Sequence, residues 1–304
     1  MTSTVTLSAG AYSVVVDPDG GGAILSADWL SPGNTKIAIL EPMSAAPAPF
    51  KAGCFAMVPF ANRIADGRFR FENSEYSLPI NHPVDHTAIH GFGRENPWRV
   101  VEETAATLTL EQDFAQADIP YRYVARQEIA LSGAGISISL TVRNNNTQAM
   151  PFGIGLHPWF PKTASTSLSF ASSGVMGRDQ RGLPVPPAIP DASFAPEAPT
   201  ALAELPWFDG FFEGWEPQRA RIERPEEGLA IELTATGALR HLHVFVPDDR
   251  PVFCAEPVSH APDAINRPEL GSANAMHVLA PGARLTGTMT LRAMPLSSRS
   301  EQRS

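Results

Sequence analysis

Glycine and proline interrupt this chain about once in every six residues, with 23 Gly and 29 Pro among 304. Long helices do not survive that spacing, because each proline removes a backbone donor and fixes φ. Between the interruptions apolar and polar residues alternate with period two, at 12–16, 23–29, 107–111, 167–171, 220–223, 229–233, 241–246 and 285–291. Each such segment offers one face to a core and one to water. The segments 67–71 and 76–80 flank Glu-Asn-Ser-Glu, and 121–131 and 136–142 flank Ser-Gly-Ala-Gly, so both pairs read as antiparallel hairpins. Asp-Pro-Asp-Gly-Gly-Gly at 17–22 is the turn between the first two strands. Helical spacing is confined to a turn or two at 200–205. The pattern predicts an all-β chain of stacked antiparallel sheets, not a βαβ protein.

One large domain over 1–296 is expected. The segment 183–206 holds seven prolines and reads as a surface excursion, since β patterning and candidate site residues occur on both sides of it. The polar tail 297–304 is expected to be disordered. With 23 Lys+Arg against 32 Asp+Glu the net charge is -9, which excludes a basic nucleic-acid or membrane-surface binder. Cys54 and Cys254 lack metal-knuckle spacing and lie among apolar neighbours, as reduced buried thiols do. The N-terminus has no basic start and no apolar run of signal-peptide length, and no stretch approaches the roughly 20 apolar residues of a membrane span. The expected location is the cytoplasm.

Four segments carry polar residues that a plain sandwich does not need. In Pro-Phe-Ala-Asn-Arg-Ile, Asn62 and Arg63 interrupt an apolar run; Arg63 suits a planar fork to hydroxyls or a carboxylate, or is a surface arginine. Asn81 to Gly93 holds three histidines, His82, His86 and His90. Its prolines and glycines replace the helix that a His-x-x-x-His metal site uses, so no metal is expected. Gly91 and Gly93 beside His90 suggest close approach of backbone to a ligand, against the plainer reading of a turn histidine. In Gly-Leu-His-Pro-Trp-Phe, Trp159 offers a stacking face to a sugar ring and His157 a proton near neutral pH, or His157 is a satisfied core histidine. Asp209 and Glu256 are carboxylates inside apolar runs, which need either a partner or a task. His241 and His243 share one face of a strand whose other face is apolar, so the pair is expected to face solvent.

Taken in order, Pro59 to Ile64, Ile89-His90-Gly91 with Trp98, Gly155 to Phe160, and Glu256-Pro-Val-Ser-His260 with Asp263-Ala-Ile-Asn266 resemble the aldose 1-epimerase (galactose mutarotase) family over nearly the whole chain. The resemblance implies a large twisted antiparallel β-sandwich that binds a free monosaccharide. It implies Glu256 as general base and His157 as general acid, with Arg63, His90 and Asp209 holding the sugar beside Asn62 and Trp159. No cofactor or metal is implied. The chemistry requires this pairing: opening a cyclic hemiacetal removes the O1 proton and protonates the ring oxygen together. Nearby negative charge is expected to keep His157 protonated while Glu256 stays ionised.

Three other readings remain open on the sequence. A hexose-phosphate mutarotase wants clustered cations; Lys36, Lys51 and Lys162 are the only lysines, though twenty arginines are present. A glycoside hydrolase would pair Asp209 with Glu256 across one bond. A non-catalytic sugar-binding module would need neither His157 nor Glu256.

Overall fold

The structure is a computed structural model and describes residues 4–43, 53–197 and 199–296, so the tail expectation at 297–304 lies outside the described residues. Two antiparallel sheets of eleven and eight strands make a β-sandwich, with three two-stranded ribbons beside them. The only helical pieces among the described residues are short 3-10 turns, one of them Leu202–Glu204 inside the segment where a turn or two was expected. No helix is long and apolar enough to cross a membrane.

The smaller sheet follows the alternation rule. Arg122–Ser132, Gly135–Asn144 and Arg284–Pro295 bury every second residue and pair in an unbroken register, Ile138 meeting Ile129 on one side and Met289 on the other. The hairpin at 67–77 is tighter than its sequence suggested: Arg68–Phe71 pairs with Ser74–Ser77, so the second strand starts before Tyr76. The inner faces of both sheets merge in one core, where Val14, Leu156 and Val244 of the larger sheet join Leu140, Ile231 and Leu291 of the smaller. Hydrogen bonds also cross between the layers, among them Tyr12 Oη to the carbonyl of Ala293 at 3.1 Å and Gln127 Nε2 to that of Gly22 at 2.9 Å.

The middle of the larger sheet departs from alternation. Cys54–Met57, Gly155–Pro161, Val252–Val258, His241–Val246 and Phe208–Glu213 lie side by side, the first four buried on nearly every residue and the last on its middle three. One face of these strands (Ala56, Leu156, Phe160, Val244, Phe253 and Ala255) belongs to the sandwich core. The opposite face is covered by the chain between residues 58 and 95, and between the two lies the site. The proline-rich segment is not wholly an excursion. Pro184–Ile189 is the edge strand of the larger sheet, paired with Gly174–Arg178, and an edge is where prolines can sit without breaking a ladder.

Candidate active site

Alternation fixes which side chains leave the central strands together. His157 and Trp159, Cys254 and Glu256, His243 and Phe245, and Asp209 all leave the face opposite the core. Register then brings them level: His157 pairs with Phe55, Trp159 with Cys254, and His243 with Glu256. The resulting cleft has a volume of about 280 Å³, and all seven residues expected from the sequence line it: Asn62, Arg63, His90, His157, Trp159, Asp209 and Glu256.

The cover is held in place by the motif residues that do not touch the cleft. Asp263 accepts the backbone N–H of Ala65 at 3.0 Å, and its own N–H donates to the carbonyl of Arg63 at 2.7 Å. His260 Nε2 accepts the N–H of Ala61 at 3.1 Å, and the N–H of Gly153 donates to the carbonyl of Pro59 at 2.7 Å. Trp98 donates from its indole to the carbonyl of Gly93 at 2.8 Å. Thus the strand turn carrying Asn62 and Arg63 is stitched to the sheet from both ends. Gly91 serves this stitching, not a ligand: at φ +64° a Cβ would sit 2.2 Å from the carbonyl oxygen of Val58, so the close approach is backbone to backbone.

His157 and Glu256 meet at the floor. Nε2 lies 3.3 Å from Oε1, and the two residues are 6% and 2% exposed. The imidazole is stacked between Phe55 and Trp159, with centroids at 4.5 and 5.3 Å, while His90 meets its edge at 5.0 Å. Trp159 therefore has one face against His157. Burial dominates the titration of both groups. It raises Glu256 to about 8 against the pull of His243 and Arg63, and it drives His157 well below its ordinary range, helped by the charges of Arg94 and His243. The expectation of a charged His157 beside an ionised Glu256 is not met in this dry setting, because desolvation of two ions outweighs their attraction. The proton count is unchanged, however. The pair holds one proton, on Glu256 instead of His157.

His90 is neutral, since burial and then the charge of Arg94 lower its pKa well below the usual value. Its Nδ1 accepts the N–H of Asn62 at 3.2 Å, and its own N–H donates to the carbonyl of Asn62 at 2.9 Å. That acceptor role places the ring proton on Nε2. Both residues sit at positive φ, +55° for Asn62 and +63° for His90, a conformation retained where the surroundings impose it.

Arg63 Nε donates to Asp85 Oδ2 at 3.0 Å, and its Nη1 lies 3.9 Å from Asp209 Oδ2. Asp209 also accepts from Arg178, whose guanidinium lies over the Trp207 ring at 4.9 Å. His243 Nε2 stands 2.6 Å from Asp209 Oδ1. Burial favours a neutral Asp209, yet the hydrogen bond and charge of His243, with Arg63 and Arg178, hold it well below the usual carboxylate range. Burial likewise opposes charge on His243, and the bond to Asp209 outweighs it and raises its pKa.

The sequence reading of His241 and His243 is overturned. They are 5% and 6% exposed, with His241 bonded to the carbonyl of Ala273 and His243 inside the cleft. The face taken for a wet one is the site face. Asp85, Arg94 and Arg178 were also not singled out, and their surroundings are set by residues far away in sequence. Among the described residues one His/Cys/acid trio, His157, Cys254 and Glu256, brings its donor atoms within 4.8 Å of one another. Burial raises the Cys254 thiol far from thiolate formation, so the trio is a histidine–carboxylate contact beside a buried thiol. The histidines at 82–90 form no such group.

The family model described as Aldose 1-epimerase matches residues 3–292. The uncharacterized protein YphB of Escherichia coli K12 is 33% identical over 301 residues, covering 94% of this chain and 97% of that protein. A crystal structure of an Escherichia coli K12 protein, provisionally assigned as an aldose 1-epimerase, superposes with a TM-score of 0.85 at 31% identity, over 97% of this chain and 99% of that one. A galactose mutarotase-like protein from Clostridium acetobutylicum shares the fold at 20% identity, with a TM-score of 0.82 over 96% and 95% of the two chains. With a match across nearly its whole length, and with the motif residues either lining one cleft or holding its cover, the chain belongs to the aldose 1-epimerase family.

Proposed function

We propose that the protein is a mutarotase that interconverts the α and β anomers of a free aldose. The observation that carries this reading is the 3.3 Å contact between His157 and Glu256 at the base of a cleft lined by further hydrogen-bonding groups. With a ring-closed sugar bound, the shared proton moves from Glu256 to His157. Ionised Glu256 then takes the O1 proton as the His157 Nε2–H is given to the ring oxygen, and the C1–O5 bond opens to the aldehyde. Glu256 is now protonated and His157 neutral, the same arrangement that burial favours in the ligand-free cleft. Rotation about C1–C2 presents the other carbonyl face. The O5 hydroxyl returns its proton to His157 while Glu256 protonates O1, giving the other anomer.

His90 donates from Nε2 to a sugar hydroxyl, and Arg63, fixed by Asp85, does the same from the neighbouring strand of the cover. Two observations favour a neutral sugar over a phosphorylated one: Arg63 and Arg178 are already paired with Asp85 and Asp209. The same pairing disfavours a glycosidase, which needs its second carboxylate free to act on the bond or a water. The test is polarimetry of freshly dissolved α-D-glucose, α-D-galactose, several pentoses and a hexose 6-phosphate, with and without protein. Accelerated decay with neutral aldoses supports the reading; acceleration with none of them, or with the phosphate alone, overturns it.

A further inference from the structure

The acid–base reading leaves a difficulty that the structure answers. To act on a closed ring, Glu256 must be ionised in surroundings that favour its neutral form. The groups facing Glu256 are His157 on one flanking strand, His243 on the other, Asp209 beyond His243, Arg63 from the cover and the Cys254 thiol on its own strand, with the Cys54 thiol behind it on the core side. Of these, His243 is placed to matter most. It is the direct cross-strand partner of Glu256 in the antiparallel ladder, and directly opposed Cβ atoms in such ladders stand about 4.5–5.5 Å apart. His243 itself is faced by Asp209 at 2.6 Å, by the Asn62 carboxamide at 3.4 Å, and by Glu256, with Arg63, His90 and His157 further round the cleft. Asp209 is in turn held by Arg178 and Arg63, so two arginines fix the anion that fixes the ring.

We infer that His243 is a positioning residue for the base: an imidazolium clamped by Asp209 that faces Glu256 across one strand spacing and stabilises its ionised form. The inference rests on the acid–base reading above. Geometry gives it direction. His243 flanks Glu256 on the side away from His157, so moving the shared proton from Glu256 to His157 puts the new negative charge next to the imidazolium and the new positive charge one strand further off. It also reassigns Asp209, whose carboxylate serves His243 before any sugar.

The experiment is the pH–rate profile of the intact protein with a neutral aldose, beside a direct titration of the Glu256 side chain by carboxyl ¹³C NMR. His243→Gln removes the charge and keeps a hydrogen-bonding group. A unit charge at this range under a protein dielectric corresponds to roughly two pH units. The basic limb of kcat/KM, which reports loss of the shared proton, and the carboxyl titration with it, should therefore move upward by about that amount. Asp209→Asn should move both the same way by less, because it also removes a negative charge that itself raises Glu256; the double variant should go no further than His243→Gln, and His243→Lys should restore part of the shift. A His243→Gln protein that loses activity equally at every pH, with the limb unmoved, shows a merely structural residue and overturns the inference. If His243→Gln does not fold, Asp209→Asn carries the same comparison. The NMR arm separates the two readings. A shifted carboxyl in a protein whose wild type mutarotates nothing keeps this inference and sinks the function, whereas an active wild type with an unshifted carboxyl does the reverse.

Discussion

Replacing Glu256 by Gln should make the protein more stable while removing its activity, and the gain should depend on pH in a defined way. Glu256 is 2% exposed and burial raises its pKa to about 8, against about 4.3 for an exposed glutamate. Between those values the folded protein binds a proton that the unfolded chain does not, so wild-type stability falls as pH rises across that window. At pH 7 the penalty is about 3 to 4 kcal/mol, from roughly 2.7 units at 1.36 kcal/mol each. Gln has the same shape and no such proton, so Glu256→Gln escapes the penalty. For 304 residues with an unfolding entropy of about 2.1 cal/mol/K per residue, this gain corresponds to a Tm rise of about 5 °C. The assay is a thermal melt of both proteins at half-unit steps from pH 4 to 9. The expected gap is near zero below pH 4.5, widens steadily, and levels above pH 8. A gap that does not change with pH, or a wild type that is the more stable at pH 8, refutes the burial argument.

The other predictions concern the remaining parts of the site. His157→Asn and Glu256→Gln should each lower turnover by about 10²-fold or more, the scale of a positioned acid or base, and rates like the wild type's by polarimetry would reject the roles. Asp85→Asn loosens the Arg63 guanidinium that it holds at 3.0 Å, so KM should rise roughly tenfold with kcat little changed; a fall confined to kcat would place Arg63 elsewhere in the reaction. Gly91→Ala puts a Cβ 2.2 Å from the carbonyl oxygen of Val58 at φ +64°, which should cost about 2 kcal/mol or more in urea unfolding. A neutral result there would mean that the turn carrying His90 is free to move.

What the sequence makes legible follows from how many faces of a strand meet water. Thr107–Ala115, Arg122–Ser132, Gly135–Asn144 and Arg284–Pro295 have one wet face, and their alternation reveals them. Cys54–Met57, Gly155–Pro161 and Val252–Val258 are covered on both faces, so they read as apolar runs without a period. These strands carry the proposed acid–base pair, which motif resemblance shows and periodicity does not. His243 was misread for the same reason in reverse: Leu242 and Val244 correctly mark the core face of its strand, but alternation alone does not distinguish a face that meets water from one that meets a covered cleft. Glycines beside His90 pointed to a close approach, and the approach is to Val58. The ion pairs Arg63–Asp85 and Arg178–Asp209 span 22 and 31 residues and had no local signal at all.

The central claim is that His157 and Glu256 stand at the same anomeric centre and share one proton. A crystal structure of the His157→Asn protein soaked with a neutral aldose tests it most directly. The anomeric hydroxyl is expected within hydrogen-bonding distance of Glu256, the ring oxygen beside residue 157, and a hydroxyl on His90 Nε2. A sugar bound with C1 turned away from both residues, or seated elsewhere on the sandwich, contradicts it.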